Sequence, residues 1–171
     1  KVDLFANHKV ILTPLPSSAD WAVDKLVQLW QAARAEVICM DVDKHDEVLA
    51  HTSHLPHLMA FNLVEQLANR EDNLDIFRYA AGGFRDFSRI AASDPQMWHD
   101  IFFANKKAIL NAVDGFEQQL AQIRKLIETE DSQALMGLLG HAQAARQHFN
   151  HMLAKKPLME NAKVTKQFSI L

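Results

Sequence analysis

Two periodicities of apolar and polar positions divide the chain. Residues 9–13 read KVILT, a β-branched run closed by Pro14 and Pro16, which predicts a buried strand. Residues 19–34 follow with Trp21, Val23, Leu26, Val27, Leu29 and Trp30 at mostly helical spacing. Residues 36–42, EVICMDV, are again strand-like. Strand, helix and strand in this order make one βαβ unit with a right-handed parallel crossover. Two strands alone do not make a stable sheet in water, so the unit reads as the trailing end of a larger α/β domain.

From Asp43 onward the pattern is helical. Residues 44–68 predict a helix interrupted near Pro56, with a kink or restart at Leu55, because proline lacks a backbone donor and disfavours helix in the residue before it. Residues 74–81 predict a short helix that Gly82 and Gly83 end or bend, and residues 84–92 another turn or two. In Ser93-Asp94-Pro95-Gln96, proline suits the first helical position. Either Asp94 caps directly, or Ser93 caps with Gln96 as its partner. An apolar stripe from Trp98 through Ile109 and Phe116 to Ile127 predicts one helix over 95–129, roughly 50 Å long. Ser132 is the expected cap of a last helix, whose inner face is Leu135, Met136, Leu139, Ala142, Ala145, Phe149 and Met152. Because the stripe on the long helix overruns one small core, a second copy of the chain is expected to cover it as a homodimer. Residues 155–171 lose the pattern and read as a tail or linker.

Composition narrows the class. Of 171 residues, 49% are hydrophobic and 23% charged, which fits a packed core. Five glycines and five prolines are few, which favours long helices. The net charge of −3 gives no argument for nucleic acid. The single cysteine, Cys39, leaves no internal disulfide framework and fits a reducing, cytoplasmic compartment. No run of 18 apolar residues is present, so no membrane span is expected. The chain opens on Lys1 rather than methionine and is expected to be cut at its front.

Two clusters carry candidate chemistry. His45, His51, His54 and His57 crowd one stretch, and His54 and His57 share a helix face. No carboxylate or third ligand stands at matching spacing, so no metal site is expected and the histidines read as solvent-facing or capping. In residues 82–90, GGFRDFSRI, Arg85 and Arg89 lie one helical turn apart. Asp86 is placed to pair with Arg89, which would make the group structural. Alternatively the guanidiniums form an anion clamp, with glycines that let a ligand approach the backbone. Spacing alone leaves both readings open.

The words VILTP (10–14), SHLPHLMAF (53–61) and GGFRDFSRIAASDPQMW (82–98), in this order, resemble prephenate dehydrogenases over roughly residues 1–129. The resemblance implies an all-helical dimerisation domain like the C-terminal domain of 6-phosphogluconate dehydrogenase, preceded by a short βαβ remnant of a Rossmann domain. Residues 1–43 would be that remnant, 44–154 the helical substrate-binding and dimerisation domain, and 155–171 a tail or linker. It also implies NAD(P)-dependent oxidative decarboxylation of prephenate in tyrosine biosynthesis. Arg89 would hold the ring carboxylate, Arg85 would be a second cation of the pocket, and His57 and Gly82 would line it. Asp86 and Trp98 would reach into the neighbouring subunit's site. Tyrosine as an inhibitor and fusion to an enolpyruvyl transferase domain are further implications. Arogenate or cyclohexadienyl dehydrogenase is the alternative activity, and a purely structural dimerisation module the alternative class. The chain departs from the family in one respect. All five glycines lie at or after Gly82, so no GxGxxG turn is present, nor the HPxxG-type motif of the family's catalytic histidine. No residue here is therefore assigned as catalytic, and the chain alone is expected to be inactive.

Overall fold

The computed structural model describes residues 3–71 and 73–154. They fall into two compact units, one ending at Glu117 and one starting at Gln118.

The first unit opens with β1 (Lys9–Leu12), α1 (Asp20–Ala32) and β2 (Glu36–Cys39). The strands pair in parallel, with Val10 opposite Val37 and Ile11 opposite Ile38. Arg34 takes φ 64° just after α1, and Ala35 N donates to Trp30 O at 3.0 Å, which closes the helix end. β2 is shorter than its apolar run. Asp41 caps α2 (Val42–Leu49), accepting from Lys44 N at 2.7 Å, and so takes Val42 into a helix. Trp21, Leu26 and Leu29 on α1 stay exposed.

The break expected at Leu55 takes a definite form. Residues Ala50–His54 make a π-helical turn, closed by Leu55 N donating to Ala50 O, and α3 (Leu55–Ala68) starts there. Pro56 has no N–H to carry the regular ladder through this point. α4 (Asn73–Arg78) follows, then α5 (Gly82–Ser88) and a 3₁₀ turn (Arg89–Ala92). Gly82 and Gly83 therefore open a helix instead of closing the one before. α6 (Pro95–Ala104) is capped by Asp94, which accepts from Met97 N at 2.8 Å and decides between the two caps the sequence allows.

The single long helix is corrected. It breaks at Asn105, with φ −107° and ψ 33°, into α6 and α7 (Lys106–Glu128). α7 is about 34 Å long, so length alone no longer argues for a second copy. Ala50, Ile109 and Ala112 form the buried centre, with Leu55, Phe102, Ala108 and Val113 packed around them.

The second unit holds the end of α7 and α8 (Ser132–Ala154). Glu130 takes φ 53° in the turn, and Asp131, not Ser132, caps α8 by accepting from Ala134 N at 3.0 Å. The expected inner face of α8 is not inner within one chain: Leu135 is half-buried, while Met136, Leu139, Phe149 and Met152 are exposed. Residues 155–171, read as a tail, lie outside the described residues. Among the described residues no helix is long and apolar enough to cross a membrane.

Candidate functional site

Three elements of the first unit meet around Trp98: the π turn, α3 and α6. The His57 ring, on α3, lies flat on the indole, with centroids 3.8 Å apart and planes 21° apart. His54, the last residue of the π turn, meets the same indole edge-on at 6.2 Å and 74°. Phe102, one turn along α6, completes the group at 5.6 Å. Trp98 is 6% exposed, and no partner for its Nε1 is found among the described residues. A shallow apolar depression of about 270 Å³ lies beside it, lined by Phe61, Pro95, Trp98, His99, Phe102 and Phe103.

The hydrogen bonds decide which ring nitrogens are free. His57 Nδ1 stands 2.8 Å from the Ser53 carbonyl. A carbonyl only accepts, so Nδ1 carries the proton, and Nε2 is an acceptor with no hydrogen-bond partner among the described residues. His54 is the converse. Asn105 Nδ2 donates to its Nδ1 at 3.2 Å, which puts the proton of the neutral ring on Nε2. The reading of these histidines as solvent-facing or capping is corrected for His54, which is 8% exposed. Burial pushes its pKa below the usual histidine value; the Asp46 carboxylate opposes that shift, and His45 and His57 reinforce it. Among the described residues no group of three or more His, Cys, Asp or Glu side chains is placed to hold a metal ion.

The cationic segment packs on α3, which carries His57. Arg85 and Asp86 lie on α5, and Arg89 starts the 3₁₀ turn; all three are exposed. No ion pair between Asp86 and either arginine forms among the described residues, so the purely structural reading of the triplet loses its main support. Neither Gly82 nor Gly83 has positive φ, and an added Cβ at either would meet nothing within 4 Å. Neither backbone strain nor packing within the chain accounts for glycine there.

In the βαβ segment, Leu12, Thr13, Pro14, Ser18, Ala22, Val23 and Leu26 line a crevice past the carboxyl end of β1. Dinucleotides bind at such strand ends, but through a glycine-rich turn, and these residues include none. The residues present do not fit a complete dinucleotide site.

Residues 41–141 match the family described as prephenate dehydrogenase, dimerization domain, well over half of the chain. The chain belongs to the prephenate dehydrogenase family. Its matched span contains His57, Gly82, Arg85, Asp86, Arg89 and Trp98. A cyclohexadienyl dehydrogenase of Zymomonas mobilis is 37% identical over 146 residues, covering 84% of this chain and 50% of its own length. A Bacillus subtilis prephenate dehydrogenase is 40% identical over 133 residues, covering 77% of this chain and 36% of its own. The crystal structure of prephenate dehydrogenase from A. aeolicus, in complex with hydroxyphenyl propionate and NAD+, superposes with a TM-score of 0.81 at 37% identity, over 86% of this chain and 52% of that one. The chain thus spans about half the length of the relatives it matches. The family motif marks His57, Arg85, Arg89 and Trp98 in the sequence. His54 and Asn105 were missed: in sequence nothing sets the first apart from the other histidines of its cluster, and the apolar stripe of α6 and α7 runs past the second.

Proposed function

We propose that this chain is the substrate-holding and dimerising part of a prephenate dehydrogenase, which oxidatively decarboxylates prephenate to 4-hydroxyphenylpyruvate. The observation that carries the reading is the placement of His57: its ring is stacked on Trp98 and held through Nδ1, with no hydrogen-bond partner for Nε2 among the described residues, on the helix against which the Arg89 turn packs. Residues 1–43 then close a dinucleotide-binding domain, and residues 44–154 form the helical domain. The exposed apolar residues of α1 are what a larger sheet domain would cover.

The substrate class sets what these residues do. A cyclohexadienyl diacid needs cations at its carboxylates. Arg89 offers a planar two-pronged donor for the ring carboxylate, and Arg85 a second cation. His57 presents Nε2 to the ring hydroxyl or side chain. Gly82 leaves room for the ligand to approach the backbone. Asp86, exposed, reaches toward the neighbouring subunit's site. Trp98, committed to its own chain's histidines, forms the rigid wall behind His57. A nicotinamide dinucleotide, NAD or NADP, would supply the hydride acceptor. It would be held by residues other than these, and no residue of this chain is assigned as its proton acceptor. The second copy covers Met136, Leu139, Phe149 and Met152 in a homodimer. Cytoplasmic location, tyrosine inhibition and a fused enolpyruvyl transferase domain belong to the same proposal.

The test is turnover by the complete protein. It should oxidise prephenate with NAD or NADP, whereas the 171-residue chain alone should not. Oxidation of arogenate in preference to prephenate would favour the arogenate reading, which the cyclohexadienyl name of one relative keeps in play. Absence of binding to either compound would leave a structural dimerisation module.

A further inference from the structure

Two irregularities of the backbone meet at one side chain. The first is the π turn Ala50–His54; the second is the break between α6 and α7 at Asn105. Asn105 Nδ2 donates to the Asp46 carbonyl at 2.8 Å and to His54 Nδ1 at 3.2 Å. Asp46 sits in α2 just before the π turn, and His54 is the turn's last residue. One amide group, with two hydrogens, therefore spans the turn from end to end. Its orientation is set by chemistry: the amide oxygen in place of Nδ2 would face a carbonyl that cannot donate.

The consequence falls on His57. A π turn carries one residue more than an α turn, so it rotates the following helix by about 100° relative to an uninterrupted one. Without that extra residue, His57 and the residues before the turn would not keep their present angular relation, and His57 would turn away from Trp98. We infer that Asn105 is a positioning residue of the substrate site: it clamps the π turn through Asp46 and His54, and so fixes the direction in which His57 presents Nε2. This rests on the reading of His57 as facing the ligand. The clamp also holds two histidines three residues apart in opposite tautomers against one indole. Burial favours the neutral form of His54, with Asp46 opposing and His45 and His57 assisting, in keeping with the acceptor role that the Asn105 contact gives its Nδ1.

The experiment uses the complete protein and its variant Asn105→Asp, nearly identical in shape but without donors. Nitrogen-15 spectra of the assigned histidines should show His54 protonated at Nε2 and His57 at Nδ1 in the wild type. In the variant, His54 should move its proton to Nδ1 or become charged, and the His57 and Trp98 signals should shift. The KM for prephenate should rise about tenfold, the loss of roughly one charge-free hydrogen-bond network, while kcat and the KM for the dinucleotide stay within about twofold. A wild-type His54 protonated at Nδ1 would overturn the clamp. So would a folded variant in which His54 changes but His57, Trp98 and KM do not. Should the variant not fold, the wild-type tautomers decide alone. Should the protein not act on prephenate, the His57 and Trp98 signals need no substrate and still give the answer.

Discussion

Replacing Trp98 by Ala and by Phe separates the packing of this residue from its polarity. The indole is 6% exposed and touches His54, His57 and Phe102. A buried tryptophan hides about 150–250 Å². At about 25 cal/mol per Å² that is worth about 4–6 kcal/mol, an upper bound because the unfolded chain already hides some of it. Against this stands the buried Nε1–H, which has no partner among the described residues. Such a group costs about 1–3 kcal/mol, and both substitutions remove it. Trp98→Ala should therefore destabilise by about 1–5 kcal/mol, centred on about 3 kcal/mol. Trp98→Phe keeps a ring under His57, loses only part of the apolar area and sheds the orphan donor, so it should fall within about 1 kcal/mol of wild type. Urea unfolding of the 171-residue chain, followed by circular dichroism so that the missing fluorophore does not matter, reads both. Protein concentration must be held constant, since a dimer's apparent stability depends on it. If Phe costs as much as Ala, the indole N–H is not an orphan and the polarity argument is wrong. If Ala costs nothing, Trp98 does not hold this core together.

Other expectations follow from the same geometry. In the complete enzyme Arg89→Ala should weaken prephenate binding about ten- to a hundredfold, as loss of a charge-assisted hydrogen bond does; Arg89→Lys should recover little, because the fork is lost, and unchanged kinetics in both would make Arg89 structural. Sedimentation equilibrium at low micromolar concentration should give twice 19.4 kDa, and a folded species at 19.4 kDa would contradict the dimer. Unfolded His54 binds a proton below about pH 6.5 that the buried native ring resists, so stability should fall as pH drops below that value and level off beneath the lower native pKa. The slope from this group is at most about 1.4 kcal/mol per pH unit, and the difference in unfolding free energy between wild type and His54→Gln should change by up to that much per unit as pH falls from 7.5 to 5; parallel curves would remove His54 as the source.

The part of this protein legible in its sequence is the part whose causes are local. KVIL and EVIC are β-branched runs and become the paired strands. Asp94 before Pro95 starts a helix, because the cap bond and the fixed φ lie within three residues of each other. Pro56 marks the break at Leu55, because one missing N–H is enough. The motif that marks the family also marks Arg89, His57 and Trp98. Periodicity fails where a contact joins distant residues. The apolar stripe runs smoothly past Asn105, yet the helix breaks there, and the hydrogen bond made by Asn105 reaches a carbonyl 59 positions earlier. His54 differs from its neighbours only in what packs over it. The residues read as the inner face of α8 are apolar in sequence, but whether they are covered depends on which surfaces meet, and within one chain most of them are not. Which histidine is buried, which nitrogen is free and which arginine is unpaired are set by side chains brought together from separate elements, and those distances exist only in the folded chain.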